Sequence, residues 1–185
     1  MALFSEANVL QMLHDNEPML KIADAAKRER HEGTIWSELA KKVRAVQTFD
    51  IFLSHSYADA HLIRGIYYGL TKTGFSVYVD WIYDPQLSRN NVNAITANTV
   101  RNRIKQSKSL LFVTTPNSPA SKWMPWECGV MDGYKDKVAI LPITKTPQQT
   151  YQGQEYLGIY PYIDGNLNVY TPGGSLLDSL GSWIR

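Results

Sequence analysis

The apolar and polar positions change their rhythm near residue 47. Before that point the spacing is helical. Val9, Leu10 and Leu13 recur behind Ser5, a capping residue, and Pro18 interrupts the run. A second helical stretch, 19–30, opens after Pro18 and closes at Gly33. Thr34 can cap a third, with Ile35, Trp36, Leu39 and Val43 on one side. Beyond residue 47, short apolar runs alternate with amphipathic ones. The runs at 49–53, 75–79, 109–113 and 138–143 read as strands. Between them, Leu62, Ile63, Ile66, Tyr67 and Leu70 recur at helical spacing, as do Val92, Ile95, Val100 and Ile104. A further helix opens near Ser121 and ends near Asp132-Gly133. In the tail, Tyr151, Tyr156, Tyr160 and Tyr162 suggest a last strand, and Gly173-Gly174 introduces a terminal helix over 176–184.

Strands that alternate with helices predict an α/β domain whose parallel sheet carries helices on both faces. Right-handed crossovers place every strand's carboxyl end on one rim, where ligands of such sheets bind. Residues 54–57, 80–84 and 114–127 all fall there. The expected division is a helical extension over 1–46 and the sheet domain over 47–185. The extension carries as many basic as acidic residues and suits packing on the main domain or on a partner.

Composition narrows the function classes. A chain of 185 residues suits one domain, or one domain with an appendage, and needs no disulfide staple. Its net charge of +2 speaks against a dedicated nucleic-acid binder. The single cysteine, Cys128, excludes an internal disulfide and a cysteine-rich zinc site. His31-Glu32 fails as a zinc motif because Ile stands at 35, so no metal is expected. The start has no basic segment followed by a long apolar run, and no stretch approaches the length of a membrane span. The expectation is a cytoplasmic protein with neither membrane nor nucleic-acid partner.

Absent motifs prune further. A phosphate-cradling loop and a dinucleotide fingerprint both need glycines directly after the first strand. The residues there are Ser54-His55-Ser56-Tyr57, and no glycine occurs between Gly74 and Gly129. No Gly-x-Ser-x-Gly elbow is present. What remains is an acid at the rim. Glu127 lies early in a helix that follows a strand and a turn-rich link, with Trp123 four residues earlier on the same helical face. An aromatic wall beside a carboxylate can exclude water. The same spacing also suits a solvated helix carboxylate flanked by core tryptophans.

Three stretches carry a resemblance. Phe49-Asp50-Ile51-Phe52-Leu53-Ser54-His55-Ser56 resembles box 1 of the Toll/interleukin-1 receptor (TIR) domain. Gly74-Phe75-Ser76-Val77-Tyr78-Val79-Asp80 resembles its second strand. Ser121-x-Trp123-x-x-x-Glu127 resembles the motif carrying the catalytic glutamate of NAD-consuming TIR domains. The resemblance covers about residues 48 to 145 in the family's element order. It implies a flavodoxin-like parallel sheet, the TIR fold. The loop after the second strand departs from receptor and adaptor TIR domains, because Asp84-Pro85 stands where they commonly have Pro-Gly.

The resemblance implies Glu127 as the catalytic residue. His55, Ser56, Tyr78, Asp80 and Trp123 are the implied substrate-binding residues, with Tyr78 stacking on nicotinamide. NAD is the substrate and no separate cofactor is required. The family also implies self-association through TIR contacts. A stand-alone TIR chain with a helical leader is similar to bacterial antiphage proteins of the Thoeris type. In these a nucleotide product, here a cyclic ADP-ribose isomer in preference to ADP-ribose, activates a separate effector protein. The alternative is a non-enzymatic TIR–TIR scaffold working through residues such as Asp84 and Arg101.

Overall fold

A computed structural model describes residues 2–16, 48–85, 87, 93–151 and 155–185. The apolar runs become the middle of a sheet. Strand β1 is Phe4–Ser5, β2 Phe49–Ser54, β3 Val77–Tyr78, β4 Ser107–Thr114 and β5 Val138–Thr144. Strands β6 (Tyr162–Ile163), β7 (Asn168–Tyr170) and β8 (Leu176–Ser179) complete it. The order is β3-β2-β4-β5-β6-β7-β8, with β1 beside β5. All pairings up to β5–β6 are parallel, while β6–β7 and β7–β8 are antiparallel. The first described strand of the sheet domain, β2, thus lies between β3 and β4. This is the point where the winding reverses, the place where ligands of such sheets bind.

Side chains alternate along the strands and so build two cores. Ile51, Leu53, Leu111, Val113, Ala139 and Leu141 face one side. Helices α1 (Glu6–Asp15) and α2 (Ala60–Lys72) supply Val9, Leu62, Ile63, Ile66 and Leu70 to that core. Phe49, Phe52, Leu110, Phe112 and Ile140 face the other. There α4 (Ala94–Gln106) and α5 (Trp123–Lys135) bring Val100, Ile104, Met124, Cys128 and Met131. The short α3 (Asp80–Tyr83) follows β3 directly, and α6 (Leu180–Ile184) closes the chain. Capping follows the residue chemistry. Ser5 accepts the Asn8 N–H at 3.3 Å, and Asn93 accepts the Thr96 N–H at 2.9 Å.

Residues 1–46 were expected as an extension, yet the first part of that stretch shares the sheet's core. Phe4 pairs with Ile143, Val9 is fully buried, and α1 lies so close to α2 that a Cβ on Gly65 would stand 2.3 Å from the Val9 carbonyl oxygen. The helices expected over 19–30 and 34–43 lie outside the described residues.

The tail is the clearest correction. Residues 176–179 form an edge strand in place of the first half of the expected helix, which is confined to Leu180–Ile184. Leu176 and Leu177 are exposed, so their apolar character marks no buried helical face. The loop expected after the second strand, marked by Asp84-Pro85, is preceded by one helical turn, Asp80–Tyr83.

Candidate active site

Strand β2 ends on Ser54, and the next residue, His55, leaves the sheet. Consecutive residues of a strand point to opposite faces. Ser54 therefore turns towards α5 and His55 towards α3. This one step divides the rim into two clusters.

On the α5 side, the Ser54 hydroxyl donates to Glu127 Oε2 at 2.6 Å. Both residues are 0% exposed. Burying a carboxyl group is costly unless it is hydrogen-bonded, so the contact both permits and orients it. Trp123 lies one turn earlier, half-buried, with its ring edge-on to Trp126 at 5.6 Å. Arg101 of α4 covers Trp126 at 5.5 Å from the ring centre. Cys128, next to Glu127, is buried, and burial pushes its thiol up to about 11, which makes it a poor nucleophile at neutral pH.

On the α3 side, His55 Nδ1 is 2.7 Å from the Leu53 carbonyl oxygen and so carries the hydrogen. Its Nε2 faces Asp80 Oδ1 at 3.5 Å. Asp80 accepts the Trp81 N–H at 2.8 Å, and the Trp81 ring meets the His55 ring edge-on at 4.6 Å. Tyr57 lies beyond Trp81, 6.2 Å away and 76% exposed.

The loop that leads into α5 is fixed by an aspartate that the sequence did not single out. Asp59 accepts from Thr115 Oγ1 and from Asn117 Nδ2, both at 2.6 Å. It ties the turn after β2 to the turn after β4 and so sets where α5 begins. A cavity of ≈ 330 Å³ opens at the ends of β4 and β5, lined in part by Thr114, Thr144, Gln148 and Tyr151. Glu127 is not in its lining.

Among the expected site residues, Glu127 and Trp123 share one face of α5, and His55 and Asp80 meet across the rim. Ser56 is buried, and its carbonyl accepts the Asp59 N–H at 3.0 Å, so it shapes the turn. Tyr78 lies elsewhere. It is 0% exposed, with Phe52 stacked at 5.0 Å and Tyr83 at 5.8 Å, and its hydroxyl donates to Asp84 at 2.9 Å. Neighbouring rings cover it, so the expected stacking on nicotinamide does not fit this arrangement. Asp84 is buried too and takes a two-pronged ion pair from Arg103, at 2.7 and 2.9 Å. It is an internal strut, not a surface contact for assembly. Ser54 escaped notice as a site residue because a serine closing an apolar strand carries no signal of its own.

No family model matches the chain. Two curated relatives do. Over 116 residues it is 53% identical to the "Probable 3' cyclic ADP-D-ribose synthase ThsB'" of Bacillus cereus (strain MSX-D12). That match covers 62% of this chain and 60% of the relative. The chain is similar to bacterial cyclic ADP-ribose synthases. A second relative, the "Putative cyclic ADP-D-ribose synthase TIR2" of Cytobacillus dafuensis, is 37% identical over 89 residues. There the match covers 48% of this chain and 24% of the relative. The resemblance to bacterial TIR proteins of the Thoeris type therefore stands. The chain spans less than two thirds of the length of either relative. Among solved structures, the TIR domain of the Toll-related receptor TRR-2 from Hydra magnipapillata aligns with a TM-score of 0.46 at 18% identity. That alignment covers 64% of this chain and 85% of the other. No helix among the described residues is long and apolar enough to cross a membrane.

Proposed function

We propose that this chain cleaves the bond between nicotinamide and ribose in NAD and closes the remaining ADP-ribose into a cyclic isomer. Two findings support the reading together: the similarity to cyclic ADP-ribose synthases, and a fully enclosed glutamate on the sheet rim held by Ser54. The similarity carries most of it.

The chemistry suits a single acid. The nicotinamide nitrogen is positively charged in NAD. When the bond to ribose C1 breaks, its electron pair stays on that nitrogen and nicotinamide leaves neutral, without a proton donor. The ribosyl fragment becomes an oxocarbenium-like cation. Glycosidases need a second carboxyl group to protonate the leaving oxygen, and this reaction does not. A carboxylate about 4 Å from the cation is worth roughly 4 kcal/mol at an effective dielectric near 20, about a thousandfold in rate. Glu127 is the carboxylate in this role, with Trp123 walling the site. An enclosed site also excludes water, which competes for the cation. A hydroxyl of the adenosine half, which gives up its proton, or an unprotonated adenine ring nitrogen then attacks C1 and closes the ring. Water in its place gives ADP-ribose. In this reading, as the resemblance to Thoeris-type TIR proteins implies, the cyclic product serves as a signal to a separate effector in antiphage defence, and self-association completes the working assembly.

The test is incubation of concentrated protein with NAD and chromatography of the products. Nicotinamide and a cyclic isomer should appear in equal amounts. ADP-ribose as the sole product would remove the cyclase step, and no nicotinamide from assembled protein would remove the whole reading.

The same enclosure favours a second reading, in which Glu127 is a strut between α5 and β2 in a non-enzymatic scaffold. Glu127→Gln separates the two, because a strut predicts lost stability and a catalyst predicts lost turnover.

A further inference from the structure

We propose that Tyr57 and Trp81 form the subsite that stacks the adenine ring of the dinucleotide. This rests on the NAD reading of the same rim and adds where the second half of the substrate lies.

The rim clusters flank the end of β2 from opposite faces. Glu127 and Trp123 occupy the α5 side, where the ribosyl–nicotinamide bond has to lie. A dinucleotide carries a second flat ring, and a cyclase has to bring that half back towards ribose C1. The α3 side offers the surface for it. Tyr57 is 76% exposed at the start of the turn Tyr57–Asp59. It stands 85° to the Trp81 ring at 6.2 Å. Two rings at right angles make a corner with one ring presented to solvent. Trp81 is itself held, because its other neighbour, His55, is fixed at the Leu53 carbonyl and stands edge-on to it. The corner is therefore pre-formed, which lowers the cost of binding.

A buried polar pair braces the corner. Asp80, a carboxylate, faces His55 Nε2 and accepts the Trp81 N–H. Tyr78, first expected to stack on the substrate, is sealed in the core, so Tyr57 and Trp81 are the aromatic pair at this strand end.

Titration of the full chain with adenosine 5′-monophosphate, read by calorimetry, tests the proposal apart from catalysis. Wild type should bind the nucleotide. Tyr57→Ala should weaken binding about tenfold, the loss one base–aromatic stack carries. Tyr57→Phe should restore it, because the ring and not the hydroxyl does the work. Glu127→Gln should bind like wild type. In turnover, Tyr57→Ala should raise KM for NAD and leave KM for nicotinamide mononucleotide, which lacks the adenosine, unchanged. Equal binding by wild type and Tyr57→Ala overturns the subsite, as does absence of binding by wild type at millimolar nucleotide. If Tyr57-dependent binding is seen but no variant releases nicotinamide, the NAD-cleavage reading fails and the subsite stands. Tyr57 is exposed, so unchanged thermal unfolding of Tyr57→Ala checks that the fold is intact.

Discussion

Among the buried acids at the carboxyl rim, Asp84 and Glu127 are treated differently. Asp84 meets a guanidinium fork from Arg103 and a hydroxyl from Tyr78. Such a pair satisfies the charge and fixes the geometry, and the hydrogen bond to Asp84 holds Arg103 more firmly protonated than usual. Glu127 takes a hydroxyl from Ser54, which orients the carboxyl group. The first arrangement pins the segment after β3 to α4. The second holds an acid dry behind the end of β2. A buried acid coupled to a fork is structural; one oriented by a hydroxyl at the end of β2 suits a developing cation.

The contrast can be broken residue by residue. Arg103→Ala should have the largest effect on stability, about 3–5 kcal/mol, because it leaves Asp84 buried without its guanidinium. Denaturant unfolding measures it, and a loss below 1 kcal/mol would place Asp84 in contact with water. Ser54→Ala acts on the other acid. It should lower the rate of nicotinamide release about tenfold at nearly unchanged KM, equal to about 1.4 kcal/mol of lost orientation in the transition state. Ser54→Thr, which keeps the hydroxyl, should recover part of the rate. A change in stability alone, with turnover intact, would assign Ser54 to the fold. Tyr78→Phe should have the smallest effect, about 1 kcal/mol of stability from one hydrogen bond to Asp84, with turnover unaffected. A raised KM for NAD in that variant would return Tyr78 to the substrate.

Much of this was legible in the sequence, for identifiable reasons. Strands β2, β4 and β5 are buried on both faces and read as continuous apolar runs. Glu127 and Trp123 stood out through their helical spacing and the motif they belong to. Other parts left no comparable signal. Strand β1 is two residues long, below the length at which a period shows. In β8 every residue is exposed, so Leu176 and Leu177 followed by Leu180 imitated a helix behind a glycine pair. Tyr78 lies between Val77 and Val79 in a short strand, and no local pattern says which face of the sheet covers it. Ser54 and Asp59 act through partners 73 and 56 positions away, a separation that a local reading does not span.

The most direct measurement is the initial rate of nicotinamide release from NAD by wild type and by Glu127→Gln at equal concentration and equal assembly, with thermal unfolding of both. The account predicts a fall of about a thousandfold in rate for a protein that unfolds at nearly the same temperature. Equal rates, or a variant that loses its fold along with its activity, would contradict the claim that Glu127 steadies the ribosyl cation.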